Sequence, residues 1–249
     1  MAVKTVKSKA AVKPIKALTS FIWRWSWRAL LLAVSVLIVA QFWFFVHVAY
    51  WVKFNPSSTA FMRARLEILR EGNPDAKLRH QWVPYQKISP HLKHSLIAAE
   101  DAKFLEHHGF DWDGIKQAWA RNRREGALVA GGSTISQQLA KNLFFSGKRT
   151  WWRKGQEAVV TVMLEAMMSK QRLFEIYLNV IEWGDGVFGA EAAARYHYGA
   201  AAAGLSPEQG ARLAAMVPSP RRYGPKANTG YLRSRTAIIL ARSYGARVP

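Results

Sequence analysis

Between residues 29 and 52 the chain reads ALLLAVSVLIVAQFWFFVHVAYWV, about 24 positions without a formal charge. As a helix rising about 1.5 Å per residue, that run crosses a hydrocarbon core of about 30 Å. Lys4, Lys7, Lys9, Lys13, Lys16, Arg24 and Arg28 precede it with no acid among them, which puts the N-terminus in the cytoplasm by the positive-inside rule. Trp23, Trp25 and Trp27 on one flank and Tyr50 and Trp51 on the other suit the membrane interfaces. A cleaved signal peptide would show an apolar region of only about 7–15 residues and a small-residue cleavage site. Neither fits well, so an uncleaved anchor is expected. The predicted organisation is a basic cytoplasmic tail over 1–28, a transmembrane anchor over 29–52 and an external domain over 53–249.

Residues 1–20 are Lys- and Ala-rich and expected to be disordered. Beyond the anchor the pattern is helical. An amphipathic helix is predicted over 59–70. Ser89-Pro90, an N-cap followed by proline at the first helical position, opens a helix running to about His107 and closed by Gly109. Asp111 can cap the next, to about Arg123. A glycine-containing loop over 126–132 leads to Ser133, a plausible cap for a helix over 134–144. Helices are predicted over 153–170 and 172–182, then a GDGVFG turn, then a helix over 190–198 ending at Gly199. Ser206-Pro207-Glu208-Gln209 has capping-box spacing. Strand-like alternation is scarce and no repeat is visible, so the fold is expected to be mainly α.

Charge narrows the partners. The 249 residues carry 36 Lys+Arg against 16 Asp+Glu, a formal +20, which favours nucleic acid, an acidic membrane surface or a phosphorylated substrate. Placing the basic domain outside the cytoplasm disfavours nucleic acid. There are no cysteines, which excludes disulfides, thiolate nucleophiles and Cys-based zinc sites.

Three segments carry candidate chemistry. In LIAAEDAKFLEHHGFDWDGI, Glu100 follows an apolar helical stretch; both a partly desolvated base and an ordinary surface or capping acid fit that position. Asp101 lies about 100° further round the helix and suits an orienting or capping role. His107 fits a hydrogen-bonding core position, and His91 and His94 lack a third ligand for a metal. In GGSTISQQLAKNLFFSGKRTWWRKGQE, Lys141, Lys148, Arg149, Arg153 and Lys154 gather around two glycines and a helix start, an arrangement suited to a diphosphate, to anionic headgroups or to plain solvation. In RKGQEAVVTVMLEAMMSKQRLFEIYLN, Glu157 falls one turn after Lys154, beside the cations, and Glu165 falls on roughly the same face as Glu157. Either acid suits glycosyl chemistry or a salt bridge. Tyr177, Leu178 and Tyr196 read as core, and Asn179 as a residue that holds a loop.

Taken in order, these motifs resemble the peptidoglycan glycosyltransferases of family 51, most closely the stand-alone biosynthetic transglycosylases, over roughly residues 85–225. The carriers are Glu100, Asp101, Phe104, His107 and Gly109; Gly131, Gly132, Ser133, Thr134, Gln137, Gln138, Lys141 and Asn142; Arg153, Lys154 and Glu157; Glu175, Tyr177, Leu178 and Asn179; and an LAAxxPxP-like run over 213–220. Ser136 stands where the family usually has threonine, and a hydroxyl is kept. The resemblance implies a mainly α, lysozyme-like head with a small membrane-proximal jaw subdomain.

It also implies a reaction. Lipid II, a disaccharide pentapeptide on undecaprenyl diphosphate, is the expected substrate. Glu100 would take the proton from the acceptor's GlcNAc 4-hydroxyl, which attacks the donor MurNAc anomeric carbon with inversion. Glu100 and Glu157 are the expected catalytic residues, with Glu157 positioning cations or a divalent ion. Asp101, Ser133, Gln138, Lys141, Arg149, Arg153 and Lys154 are the expected substrate-binding residues. No tightly bound cofactor is expected, with a divalent cation (Mg or Mn) as an option. The expected partners are the growing glycan strand, membrane lipid, and cell-division or wall-synthesis proteins, with no nucleic acid. No transpeptidase domain is expected after Pro225. Two other readings stand beside this one: a membrane-anchored lytic enzyme on the same scaffold, which needs no diphosphate cluster, and a non-enzymatic cell-wall scaffold, which would tolerate loss of Glu100.

Overall fold

The computed structural model describes residues 12–126, 131–147 and 150–249. Contacts divide the chain into two compact units, Met1–His47 and Val48–Pro249. The first ends within α1 (Val12–Lys53), whose stretch Phe21–Lys53 is long and apolar enough to cross a membrane. The helix begins earlier than the apolar run, so residues 12–20, expected to be disordered, are helical. Lys, Ala and Leu are good helix formers, and extending an existing helix avoids the penalty of nucleating one.

In the second unit α2 (Ala60–Gly72) is capped by Thr59, whose hydroxyl accepts from the Met62 N–H. Strand β1 (Arg79–His80) and a 3-10 turn at Tyr85–Lys87 lead to α3 (Pro90–Glu100), started as expected by Ser89 and Pro90. This helix buries Leu92, Leu96 and Ile97 completely, each contributing about 1.5–3 kcal/mol. It stops at Glu100, seven residues short of the predicted His107. Asp101 leaves helical geometry at φ −161°, ψ 74°, and its carboxylate bonds elsewhere.

Helix α4 (Trp112–Glu125) is capped by Asp111 and closed by Gly126. Helix α5 (Ile135–Phe144) starts one residue later than predicted, because Thr134 and not Ser133 is its cap. The Thr134 hydroxyl accepts from Gln137 N–H while the Gln137 side chain accepts from Thr134 N–H, a reciprocal capping box. The helix expected over 153–170 is α6 (Trp151–Met167), capped by Thr150. Ser169 then caps α7 (Lys170–Val180) by accepting from Arg172 N–H.

The GDGVFG turn joins β2 (Glu182–Gly184) to β3 (Val187–Phe188), which pairs in turn with β1, giving the order β1-β3-β2. Strands of two or three residues leave no period to read, so the sheet was not anticipated. Helix α8 (Ala190–Tyr198) ends at Gly199, and α9 (Pro207–Met216) has the predicted capping box from Ser206 and Gln209. A final helix, α10 (Gly230–Ser243), was not predicted. It packs with α9 on α3, while α5 packs against α2, α6 and α7. Asn179 does hold a loop: its amide accepts from Val83 N–H and donates to Val83 O at 2.9 and 3.0 Å.

Gly189, the N-cap of α8, has φ +83°, and a Cβ there would lie 2.7 Å from the Asn179 carbonyl oxygen. Both the backbone angle and the contact oppose a side chain. Gly189→Ala is expected to lose about 2–3 kcal/mol, measured as a fall in Tm of roughly 5–10 °C in the detergent-solubilised protein.

Candidate active site

The end of α3, the loop before α5, the start of α6 and the segment after α9 enclose a cleft of about 620 Å³. Glu100, Ser133, Gln138, Lys141, Arg153, Lys154 and Glu157 all line it, so seven of the nine expected site residues face one space. Asp101 is adjacent and buried beneath them. Arg149, like Lys148, lies outside the described residues.

Glu100 ends the apolar helix α3, and burial pushes its carboxyl above the usual range. Several groups oppose that rise without cancelling it: the Gln138 amide, then the charges of Arg235 and Lys141. Gln138 Nε2 donates to Glu100 Oε2 at 2.8 Å, and Gln138 Oε1 accepts from the Tyr177 hydroxyl at 2.9 Å. Tyr177 is fully buried, and burial holds its phenol well above the usual value, with the Glu100 and Asp101 charges adding to the effect. The phenol therefore stays a donor, which fixes the Gln138 amide with its N–H group toward Glu100. Tyr177 is core, as read from the sequence, and it also supports the site.

Asp101 works behind Glu100. Its carboxylate accepts the Ile135 N–H at 3.0 Å and lies 2.9 and 3.1 Å from His107 Nε2, which donates to it. The His107 carbonyl accepts from Lys170 Nζ at 2.7 Å, and Lys170 pairs with Glu165 at 2.8 Å. Ser136 donates to the same Glu165. Glu165 therefore ties α5 to α6 and to the start of α7, and it does not line the cleft as Glu157 does.

The cationic wall is built by α5 and α6. Lys141 is exposed on α5, three residues beyond Gln138 and thus on nearly the same face. Arg153 and Lys154 lie in the first turn of α6, and Glu157 receives both: Arg153 contacts Oε1, and Lys154 Nζ is 3.2 Å from Oε2. Glu157 is 3% exposed, so removing either partner would leave buried charge uncompensated. Among the described residues no three His, Asp or Glu side chains converge as metal ligands, and both Glu157 oxygens face cations.

With Thr134 as the cap, the exposed Ser133 is left to face the cleft. Thr134 also donates to the Gly109 carbonyl at 2.6 Å, fastening the turn after α3 to the start of α5. His94 Nδ1 lies 2.8 Å from the Ala246 carbonyl, a structural contact. Two contributors were not read from the sequence. Phe61 comes to the cleft from α2, and Arg235 comes near Glu100 from the unpredicted α10, its Nε buried with no hydrogen-bond partner among the described residues. Thr229, an N-cap residue ahead of a run rich in helix formers, was the signal that could have found α10; nothing local marks Arg235.

The transglycosylase family model matches residues 67–244. The chain is 60% identical over 229 residues to the biosynthetic peptidoglycan transglycosylase of Nitrosospira multiformis, covering 92% of this chain and all of that one. It is 61% identical over 223 residues to that of Methylobacillus flagellatus, covering 90% and 97%. Against that of an Azoarcus species it is 56% identical over 222 residues, covering 87% and 96%. A match over most of a helical domain whose cleft gathers the expected residues leaves one assignment: the chain belongs to the transglycosylase family.

Proposed function

We propose that this transglycosylase polymerises peptidoglycan glycan strands from lipid II, forming β-1,4 linkages with inversion and releasing undecaprenyl diphosphate. The observation that carries the reading is the sharing of one cleft by a desolvated carboxyl, Glu100, and the cations Lys141, Arg153 and Lys154. A base and a multiply anionic leaving group need those two environments close together. In this scheme Glu100 accepts the proton of the acceptor 4-hydroxyl as that oxygen attacks the donor's anomeric carbon. Its raised affinity for a proton suits the task, and Gln138 holds it in register. Lys141, Arg153 and Lys154 neutralise the departing diphosphate, joined by Arg149. Glu157 keeps the α6 cations in place, while Asp101 acts through the frame beneath Glu100, and Ser133 contacts the donor.

The setting follows the same logic. A single α1 anchor in the inner membrane, with its N-terminus in the cytoplasm, places the domain in the periplasm beside a lipid-borne substrate. Trp112, Trp119, Trp151 and Trp152 are 65%, 65%, 94% and 70% exposed, and rings of this kind favour the membrane interface. They support membrane lipid as a partner of the domain. Cell-division or wall-synthesis proteins would be recruited around the same anchor.

Purified detergent-solubilised protein incubated with labelled lipid II is expected to yield polymer that Glu100→Gln does not. No polymer from the wild type, or glycan cleavage in its place, would overturn the reading. Lys154→Ala should lower both turnover and apparent donor affinity, by about tenfold in kcat/KM, since it removes one diphosphate partner. An unchanged donor dependence would assign the role to another cation.

The raised Glu100 pKa also has a stability consequence. A carboxyl raised on folding contributes its stability fully below its unfolded pKa of about 4.3 and loses it as pH rises through the folded value. Glu100→Gln is therefore expected to raise Tm at neutral pH, the gap to wild type closing below about pH 4. Thermal unfolding of both proteins across pH checks this, together with a wild-type activity profile whose acid limb lies above the ordinary carboxylate range.

A further inference from the structure

Glu182 opens β2 and is 5% exposed. Three groups converge on its carboxylate from different parts of the fold. Arg65 of α2 places Nε 3.7 Å from Oε1, and Arg221 of the 3-10 turn Pro220–Arg222 places Nε 3.5 Å from Oε2. The Gly186 N–H donates at 3.4 Å from within the hairpin. Asp185, next in the hairpin, also pairs with Arg65.

Both arginines stand close behind the cleft. Phe61 lies one helical turn before Arg65 on the same face of α2, and it lines the cleft while packing on Phe188 of β3. Val217 and Pro218 line the cleft as well, just before the turn that carries Arg221. With Phe145, just after α5, these three side chains make the apolar part of the cleft, and the three arrive on two separate segments. Glu182 joins the two.

We propose that Glu182 is a positioning residue that clasps α2 to the segment after α9, and so sets the spacing of the Phe61 and Val217–Pro218 walls between which the sugar chain is held. For its substrate this rests on the glycan-polymerising reading above; the clasp itself does not. A buried carboxylate facing two cations loses most when one partner is removed, because the remaining charges stay desolvated. Burial pushes the Glu182 carboxyl up, Arg221, the Gly186 N–H and Arg65 pull it down, and Asp185 pushes it up. The net direction is upward, so the clasp weakens as the pH falls toward the point where Glu182 takes a proton.

The test compares wild type with Glu182→Gln and Arg221→Ala, the second altering a half-exposed side chain. Amide hydrogen exchange is read over residues 60–72 and 217–223, and lipid II kinetics alongside it. Glu182→Gln should speed exchange in both segments and Arg221→Ala only in 217–223. Both should raise KM by about threefold to tenfold with kcat within about twofold, because walls are displaced while Glu100 is not. Unchanged exchange in both variants would overturn the clasp, even if Tm falls. Faster exchange with a wild-type KM would overturn its role in holding substrate. A wild type that makes no polymer would instead remove the glycan reading, and the exchange comparison would still decide the clasp.

Discussion

The carboxylate of Asp101 accepts the Ile135 N–H, one of the donors that α5 leaves free at its start, and the Nε2–H of His107, and it does so at the residue where α3 stops. Helix starts leave N–H groups without partners inside the helix, and a buried carboxylate is unstable without donors. Each need meets the other. The pairing fixes where α3 ends, which makes Glu100 its last residue, and where α5 begins, which brings Gln138 within 2.8 Å of Glu100. Thr134, bonded to the Gly109 carbonyl, and Lys170, bonded to the His107 carbonyl, brace the intervening turn at two further points. Without the shared carboxylate Glu100 and its amide partner Gln138 would belong to two independently placed helices.

Around this frame the buried acids divide by what satisfies them. Glu157, Glu165 and Glu182 all face cations, Glu157 within its own helix α6 and the other two across separate elements. Glu100 has an amide as its close partner, with the positive charges of Arg235 and Lys141 acting on it less strongly than burial does. Charge pairing makes acids into fasteners, even at Glu182 where burial still raises the carboxyl, while Glu100 holds its raised affinity for a proton facing the cleft. The division lowers stability at one position and keeps that position chemically active.

Much of this could be read from the sequence because it is written locally. Ser89-Pro90, the Ser206 to Gln209 spacing and Gly199 mark helix ends through backbone chemistry that acts within a few residues, and the structure places those ends where they were expected. The i, i+3 relation of Lys154 and Glu157 likewise foretold their contact. What was misread depends on distant partners. The run of helix formers after Glu100 hid a break that only the Ile135 N–H explains, and Ser133 and Thr134 are equally good caps until the Gly109 carbonyl selects one. Glu165 and Glu157 look alike along one helix, yet Lys170 and Ser136 claim the first and the cleft receives the second. Arg235 needed α10 to be docked on α3, a tertiary fact with no local sign.

The chain from Tyr177 through Gln138 to Glu100 runs in one direction, with every donor fixed by the group behind it. Because the phenol does not ionise in the working range, the amide cannot turn over, and Oε2 remains an acceptor whether or not the carboxyl has gained a proton. The incoming proton is steered to Oε1. Glu100 can then gain or lose that proton without any rearrangement of Gln138 or Tyr177.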